Sequence, residues 1–162
     1  MLAEVLDLAR ELATPVVASH LVARLGATRR EKERARLVAV ASRLGVGMAP
    51  ALADAIGEAR DRFQRRTYMD ALKALGPAGV EVAASMVEDP RWFVVRNGVA
   101  LLGELGGEEA VSPVTGALAN TDPRVRREAV LALAKLGGEN ASQLLVGMLA
   151  DPDPDVRAMA LY

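Results

Sequence analysis

A chain of 162 residues with 20 Lys or Arg, 21 Asp or Glu and a single His has a formal net charge of −1, so it lacks the broad basic surplus of a protein that coats nucleic acid. Cysteine is absent, which excludes disulfides and thiol chemistry and is compatible with a reducing cytoplasm, the location expected for it. Hydrophobic residues make up 51% but aromatics only 3%; a core of Ala, Leu and Val suits closely stacked helices rather than a β-sandwich.

In chain order, Leu2 to Ala13 and Pro15 to Leu25 read as two helices separated by Pro15, an N-terminal pair acting as a cap over residues 1–26. Glu4, Asp7 and Glu11 interrupt the apolar residues, so no leader pattern forms, and nowhere do 18 apolar residues run consecutively. No membrane association is expected. A basic segment follows, with Arg24, Arg29, Arg30, Lys32, Arg34 and Arg36 offset by Glu31 and Glu33. It tips residues 1–81 to 13 basic against 10 acidic side chains, net +3, while residues 82–162 carry 7 against 11, net −4. This segment is either a solvated helix start or a patch for phosphates or an acidic partner, for which Arg24, Arg29, Arg30, Lys32 and Arg34 are the candidates.

Beyond it the chain repeats itself. Residues 106–131 match residues 137–162 at 12 of 26 positions, and the pairs Leu44-Gly45, Leu75-Gly76, Leu105-Gly106 and Leu136-Gly137 fall 31, 30 and 31 residues apart. Within a repeat, Val125, Ala129, Ala132, Leu133 and Leu136 keep the spacing of one helical face, as do Val94, Gly98, Leu101, Leu102 and Leu105 one repeat earlier. Asp89, Asp122 and Asp153, each followed by Pro, read as caps that start these first helices, and the glycine of each Leu-Gly pair stops them. Second helices follow, with buried faces at Leu52, Ala55 and Ile56, at Ala83, Met86 and Val87, at Val114, Ala117 and Leu118, and at Leu145, Met148 and Leu149. Phe63 and Phe93 share a column read as core. Trp92, the only tryptophan, is read as a wedge between repeats, with an exposed interface anchor as the alternative.

Asp-Pro-x-Val-Arg followed by Ala-x-x-Ala-Leu-x-x-Leu-Gly, in several copies sharing a register, resembles the HEAT-like repeat family in its short bacterial form, also seen in phycobilisome bilin lyases. The resemblance covers residues 31–162. It implies an all-α fold, an α-solenoid (α-α superhelix) of stacked antiparallel helix pairs with about 31 residues per repeat. The expected parse is a single domain over 1–162 with repeats at 27–58, 59–88, 89–119 and 120–150 and a truncated fifth at 151–162. It also implies a ladder joining Asp122 to Arg126 and Asp153 to Arg157 in the column Arg36, Arg66, Arg96, Arg126 and Arg157, and a concave face lined by second helices. Candidate partner-binding residues on that face are Glu81, Ala84, Ser85, Ser112, Thr115, Gln143 and Val146, a small and weakly polar set without Lys or Arg.

Catalysis finds no residues to carry it. His20 is followed by Leu21, whereas the metal-dependent HEAT-like enzyme deoxyhypusine hydroxylase relies on repeated His-Glu pairs, and no serine sits in a nucleophile elbow. No catalytic residue, metal or cofactor is expected. The function read from the sequence is a non-catalytic protein-protein interaction scaffold holding a protein or peptide partner. The alternatives are a nucleic-acid or polyanion-binding array using segment 24–36, and chromophore handling of the bilin lyase kind. The largely apolar end, Val156, Met159, Ala160, Leu161 and Tyr162, leads us to expect continuation into a longer array or end-to-end self-association.

Overall fold

A computed structural model describes residues 11, 14–138 and 140–161, and every regular element among them is helical. The helix expected over 2–13 falls outside the described residues except for Glu11, as do the readings at Glu139 and Tyr162. The chain divides into two compact units, one ending at Val82 and the other beginning at Ala83.

In the first unit, α1 (Pro15–Ala27) starts where Thr14 accepts a hydrogen bond from the Val17 N–H at 3.4 Å, with Pro15 in the first turn. After α2 (Glu31–Leu44), a 3-10 turn over Gly45–Met48 leads into α3 (Ala49–Glu58), α4 (Arg62–Lys73) and α5 (Pro77–Met86), which runs on into the second unit. Asp61 caps α4 by accepting from the Gln64 N–H at 2.7 Å. α1 packs on α2, α3 and α4, and α4 packs on α2 and α3, burying Leu25, Met48, Leu52, Ile56 and Leu72 between them. The stretch Glu31–Glu58 is long and apolar enough to cross a membrane by composition. Within it Leu44, Met48, Leu52 and Ile56 are buried inside the unit, Leu37 and Val38 are half-buried and Val40 and Val46 are exposed, and the 3-10 turn at Gly45 breaks it in two.

The second unit holds the end of α5, then α6 (Trp92–Leu105), α7 (Glu108–Ala117), α8 (Pro123–Leu136), α9 (Ala141–Met148) and α10 (Pro154–Ala160). Asp122 and Asp153 cap α8 and α10 as their Asp-Pro pairs predict. Asp89 does not cap α6. Its carboxylate turns back on Arg91, taking the backbone N–H at 2.8 Å, because the extra residues before Trp92 move the helix start out of its reach. Gly45, Gly106 and Gly137 close their helices at φ of 68°, 73° and 67° with ψ of −146°, −164° and −149°. This differs from the left-handed helical conformation and is more restrictive, lying at or near the region populated almost only by glycine.

α8 is the hub of this unit, packing on α6, α7, α9 and α10. The predicted first-helix faces are buried except at their last positions: Val125, Ala129, Leu133, Leu101 and Leu102 are at 1% exposure or less, while Leu105 and Leu136 are half-buried. α6 and α8 approach so closely that a Cβ on Gly103 would lie 2.7 Å from both the Cα and the Cβ of Ala132. The last second-helix face departs from expectation. Leu145 and Met148 are half-buried and Leu149 is exposed, because α9 rests on α8 and the short α10 alone among the described helices. Of the apolar C-terminal group, Val156 is fully buried, Met159 and Ala160 are half-buried, and Leu161 is 74% exposed.

Two substitutions test this packing. Leu133→Ala should cost about 2 to 5 kcal/mol by opening a cavity beneath the hub helix. Gly103→Ala should cost about 1 to 3 kcal/mol by forcing α6 and α8 apart. Urea denaturation gives both values, and a loss below about 0.5 kcal/mol for either would mean that the register is wrong.

Candidate functional site

Small residues on consecutive second helices leave open clefts. In the second unit α5 and α7 enclose about 580 Å³ between Ala84, Ser85, Ser112, Gly116 and Asn120. In the first unit α1 and α3 enclose about 500 Å³, lined among others by Asp54, Ala55, Glu58 and Tyr68. The α3 and α7 walls carry corresponding positions, two repeats of 31 residues apart: Asp54 with Gly116, Ala55 with Ala117, Glu58 with Asn120. Of the sequence candidates, Ala84, Ser85 and Ser112 therefore meet at one cleft. Thr115 is half-buried on α7 outside the lining, Gln143 and Val146 are exposed on α9, and Glu81 is exposed on the part of α5 assigned to the first unit. Tyr68 falls at the first-helix position that Gly98 and Ala129 occupy in later repeats, and its large phenol breaks the small-residue pattern of that column.

The arginine column behaves differently from the expected ladder. Arg126 reaches forward 25 residues and forms a two-pronged bond with Asp151, Nε to Oδ2 and Nη2 to Oδ1, both at 2.8 Å and both buried. Its Nη1 also donates to the Asn120 and Thr121 carbonyls. Asp122, the expected partner, is taken by Arg124 at 2.7 Å, two residues away. Nor does Arg157 pair with the Asp153 carboxylate; its Nη1 donates to the carbonyls of Asp151 and Pro152. A cap carboxylate already faces the backbone N–H groups of its own helix, so the column arginine finds better acceptors in the preceding loop and, for Arg126, in the next repeat. The Arg126 guanidinium beside Asp151 holds that carboxyl below its ordinary range. Arg124 does the same for Asp122, and Arg91 for Asp89.

Arg124 also lies over the Trp92 ring at 3.4 Å from its centroid, with Arg96 at 5.8 Å and Phe93 edge-on at 5.9 Å. Trp92 is thus half-buried and joins successive first helices. Phe63 and Phe93 are not core residues. Both are half-buried, and Phe63 serves as a platform for Arg29 at 4.2 Å and Arg34 at 5.2 Å. The basic segment is accordingly committed in part: Arg24 pairs with Glu33 at 3.2 Å and Arg29 with Asp61 at 3.0 Å, while Arg30 and Lys32 are exposed. Burial pushes the Glu128 carboxyl on α8 above its ordinary range, opposed by the charges of Arg96, Lys135 and Arg127. Among the described residues no group of three or more His, Cys, Asp or Glu is arranged to hold a metal ion.

Paired helices, glycine-closed turns and a repeating register all belong to one architecture, and the family model for HEAT repeats matches residues 80–162, about half of the chain. The chain belongs to the HEAT repeat family. Its fold is all-α, of the α-solenoid class of helical repeats. Human deoxyhypusine hydroxylase, solved in complex with glycerol, is a similar structure, with a TM-score of 0.56 and 19% identity over 94% of this chain and 62% of that chain. This HEAT repeat chain thus spans less than two thirds of the hydroxylase. An engineered protein aligns with a TM-score of 0.51 and 19% identity over 96% of this chain and 76% of its own. At such identities the likeness is one of fold alone. No curated protein matches the chain.

Breaking the Arg126–Asp151 bond should be costly, since it strands a buried charge. Arg126→Ala is expected to lower unfolding stability by about 3 to 5 kcal/mol. Because the native pKa of Asp151 is depressed, its contribution is fully present above the unfolded value near pH 4 and is lost as pH falls through the native value. Thermal melts from pH 7 to pH 2.5 should show a flatter acid flank for Asp151→Asn than for the wild type; an unchanged flank would show that the pair is energetically silent.

Proposed function

We propose that the chain is a non-catalytic protein-interaction module whose partner, a protein or peptide, lies along the exposed face of the second helices. The observation that carries this reading is the recurrence, in register, of an open cleft walled by small side chains at α1–α3 and again at α5–α7. Small side chains let a partner backbone approach closely, and the exposed Ser112 offers a hydrogen-bonding hydroxyl beside a single carboxylate, Glu88. On this reading the repeats are 27–58, 59–88, 89–119 and 120–150, capped by 1–26, and the module works in the cytoplasm. The absence of catalysis is argued from His20, which is exposed on α1 with its Nδ1 hydrogen-bonded to the Val16 carbonyl at 2.9 Å, and from the assignment of Asp122 and Asp153 to helix caps.

A photocrosslinking amino acid at Ser112 should yield a discrete adduct in host lysate, whereas one at Lys135, exposed on the first helix α8, should not. Equal labelling from both positions would sink the proposal. Nucleic acid should bind no better than non-specifically, with Kd on the order of 10⁻⁴ to 10⁻⁶ M at physiological salt. Tighter, salt-sensitive binding lost on changing Arg29, Arg30 and Lys32 to Glu would instead favour a polyanion-binding array.

A further inference from the structure

α8 and α10 are successive first helices, and they carry equivalent arginines 31 residues apart, Arg126 and Arg157. Arg126 directs its Nη1 at the carbonyls six and five residues back, Asn120 at 2.9 Å and Thr121 at 3.2 Å. Arg157 repeats this posture, its Nη1 meeting the Asp151 carbonyl at 2.8 Å and the Pro152 carbonyl at 3.0 Å. A planar guanidinium held at one nitrogen by two carbonyls presents its remaining edge in one direction. On Arg126 that edge, Nε and Nη2, holds the Asp151 carboxylate through two bonds of 2.8 Å. On Arg157 the same edge has no hydrogen-bond partner among the described residues. The nearby carboxylates are already engaged. Asp151 is bound to Arg126 and accepts from the Asp153 N–H, and Asp153 accepts from the Asp155 and Val156 N–H groups.

The second observation is the apolar surface on the same two helices. One turn beyond Arg157, Leu161 is 74% exposed, whereas its counterpart Val130, one turn beyond Arg126, is 1% exposed. On α9, Leu149 is exposed and Leu145 and Met148 are half-buried, while their counterparts on α7, Leu118, Val114 and Ala117, are all buried. α8 is covered by the helix pair that follows it, α9 and α10, and these two have no equivalent cover among the described helices.

We propose that this side of α9 and α10 binds a helix pair of a separate polypeptide that presents an aspartate from the loop between its helices, the carboxylate taking the Arg157 edge as Asp151 takes that of Arg126. The interface is continuous with one that the protein already makes, because it extends the contact of α8 with α10 by one repeat. Leu149 and Leu161 supply its apolar area, and the guanidinium edge selects a loop carrying a carboxylate over a neutral or basic one. This surface is distinct from the second-helix clefts and does not depend on their role.

Residues 137–162 carry such a unit, with α9, Asp151 and α10 in order, and a synthetic peptide of that sequence serves as the probe. Titrated into the isotope-labelled full chain and followed by NMR, it should shift the signals of Arg157, Leu149 and Leu161 and leave those of Ser85 and Ser112 in place. A peptide with Asp151→Asn should bind at least about fivefold more weakly. Against a full chain carrying Arg157→Gln the two peptides should bind equally. Arg157→Lys, which keeps the charge but not the two-pronged edge, should narrow their difference, and Leu161→Ser, at an exposed site, should weaken both peptides while keeping their ratio. Asparagine peptide binding as tightly as the aspartate one, or no binding of either, would overturn the inference. So would exchange, seen as loss of the Val130 and Arg126 signals when the peptide displaces the chain's own α9 and α10. Shifts confined to Ser85 and Ser112 would likewise overturn it and place the peptide in the α5–α7 cleft.

Discussion

The approach of α6 to α8 at Gly103 and Ala132 governs the second unit. With no room for a Cβ between them, the two helices meet almost backbone to backbone, and the branched side chains on either side of that point, Val99, Leu102 and Leu133, close around the contact. α8 is then able to touch four neighbours at once, two in its own sequence vicinity and two belonging to the preceding pair. Close contact between first helices also decides where the second helices go: they are left on one side with a single packed face each, and the gaps between them become the clefts.

Electrostatics follows the same division between near and far. Asp89 with Arg91, and Asp122 with Arg124, close over two residues and shape the loop in which they sit. Arg126 with Asp151 spans 25 residues and is buried, so it ties one repeat to the next. Removing the local pairs alters loops, while removing the long-range pair exposes a charge to a poorly solvated interior. Arg65 adds an arginine Nε that is buried without a hydrogen bond, a small debit in the first unit.

Periodicity made the fold legible: the faces of Val125 to Leu136 and Val94 to Leu105, the Asp-Pro starts at Asp122 and Asp153 and the Leu-Gly stops at Gly45, Gly106 and Gly137 are local signals with local mechanisms that lie where the spacing put them, while Asp89 caps no helix and α4 ends at Lys73, ahead of Gly76. The Arg126 partner was not legible, because Asp122 and Asp151 carry the same residue type near the same kind of turn and only packing distinguishes which of them is free to face the guanidinium. Phe63 and Phe93 misled for a similar reason. A shared column suggests a shared core role, yet Arg29 and Arg34 from the basic segment cover Phe63, and Phe93 meets the Trp92 ring edge-on with Arg91 over its face. At the clefts the sequence pointed to Ser85 and Ser112 through their columns, while Tyr68 shares its column with Gly98 and Ala129 and its place at the cleft required the three-dimensional arrangement of α1 and α4.

Trp92 gives this arrangement an optical consequence. As the only tryptophan, held under the Arg124 guanidinium that α8 brings to it, its emission responds to the mating of α6 with α8. Tyr68 is the only tyrosine up to Val82 and sits against α1 in the other compact unit. Excitation selective for tryptophan therefore reports on the second unit alone, whereas Tyr68 shares the tyrosine signal with Tyr162 and does not isolate the first. A Trp92 emission transition that departs from the loss of helical circular dichroism would separate melting of the second unit from that of the chain as a whole without any introduced label.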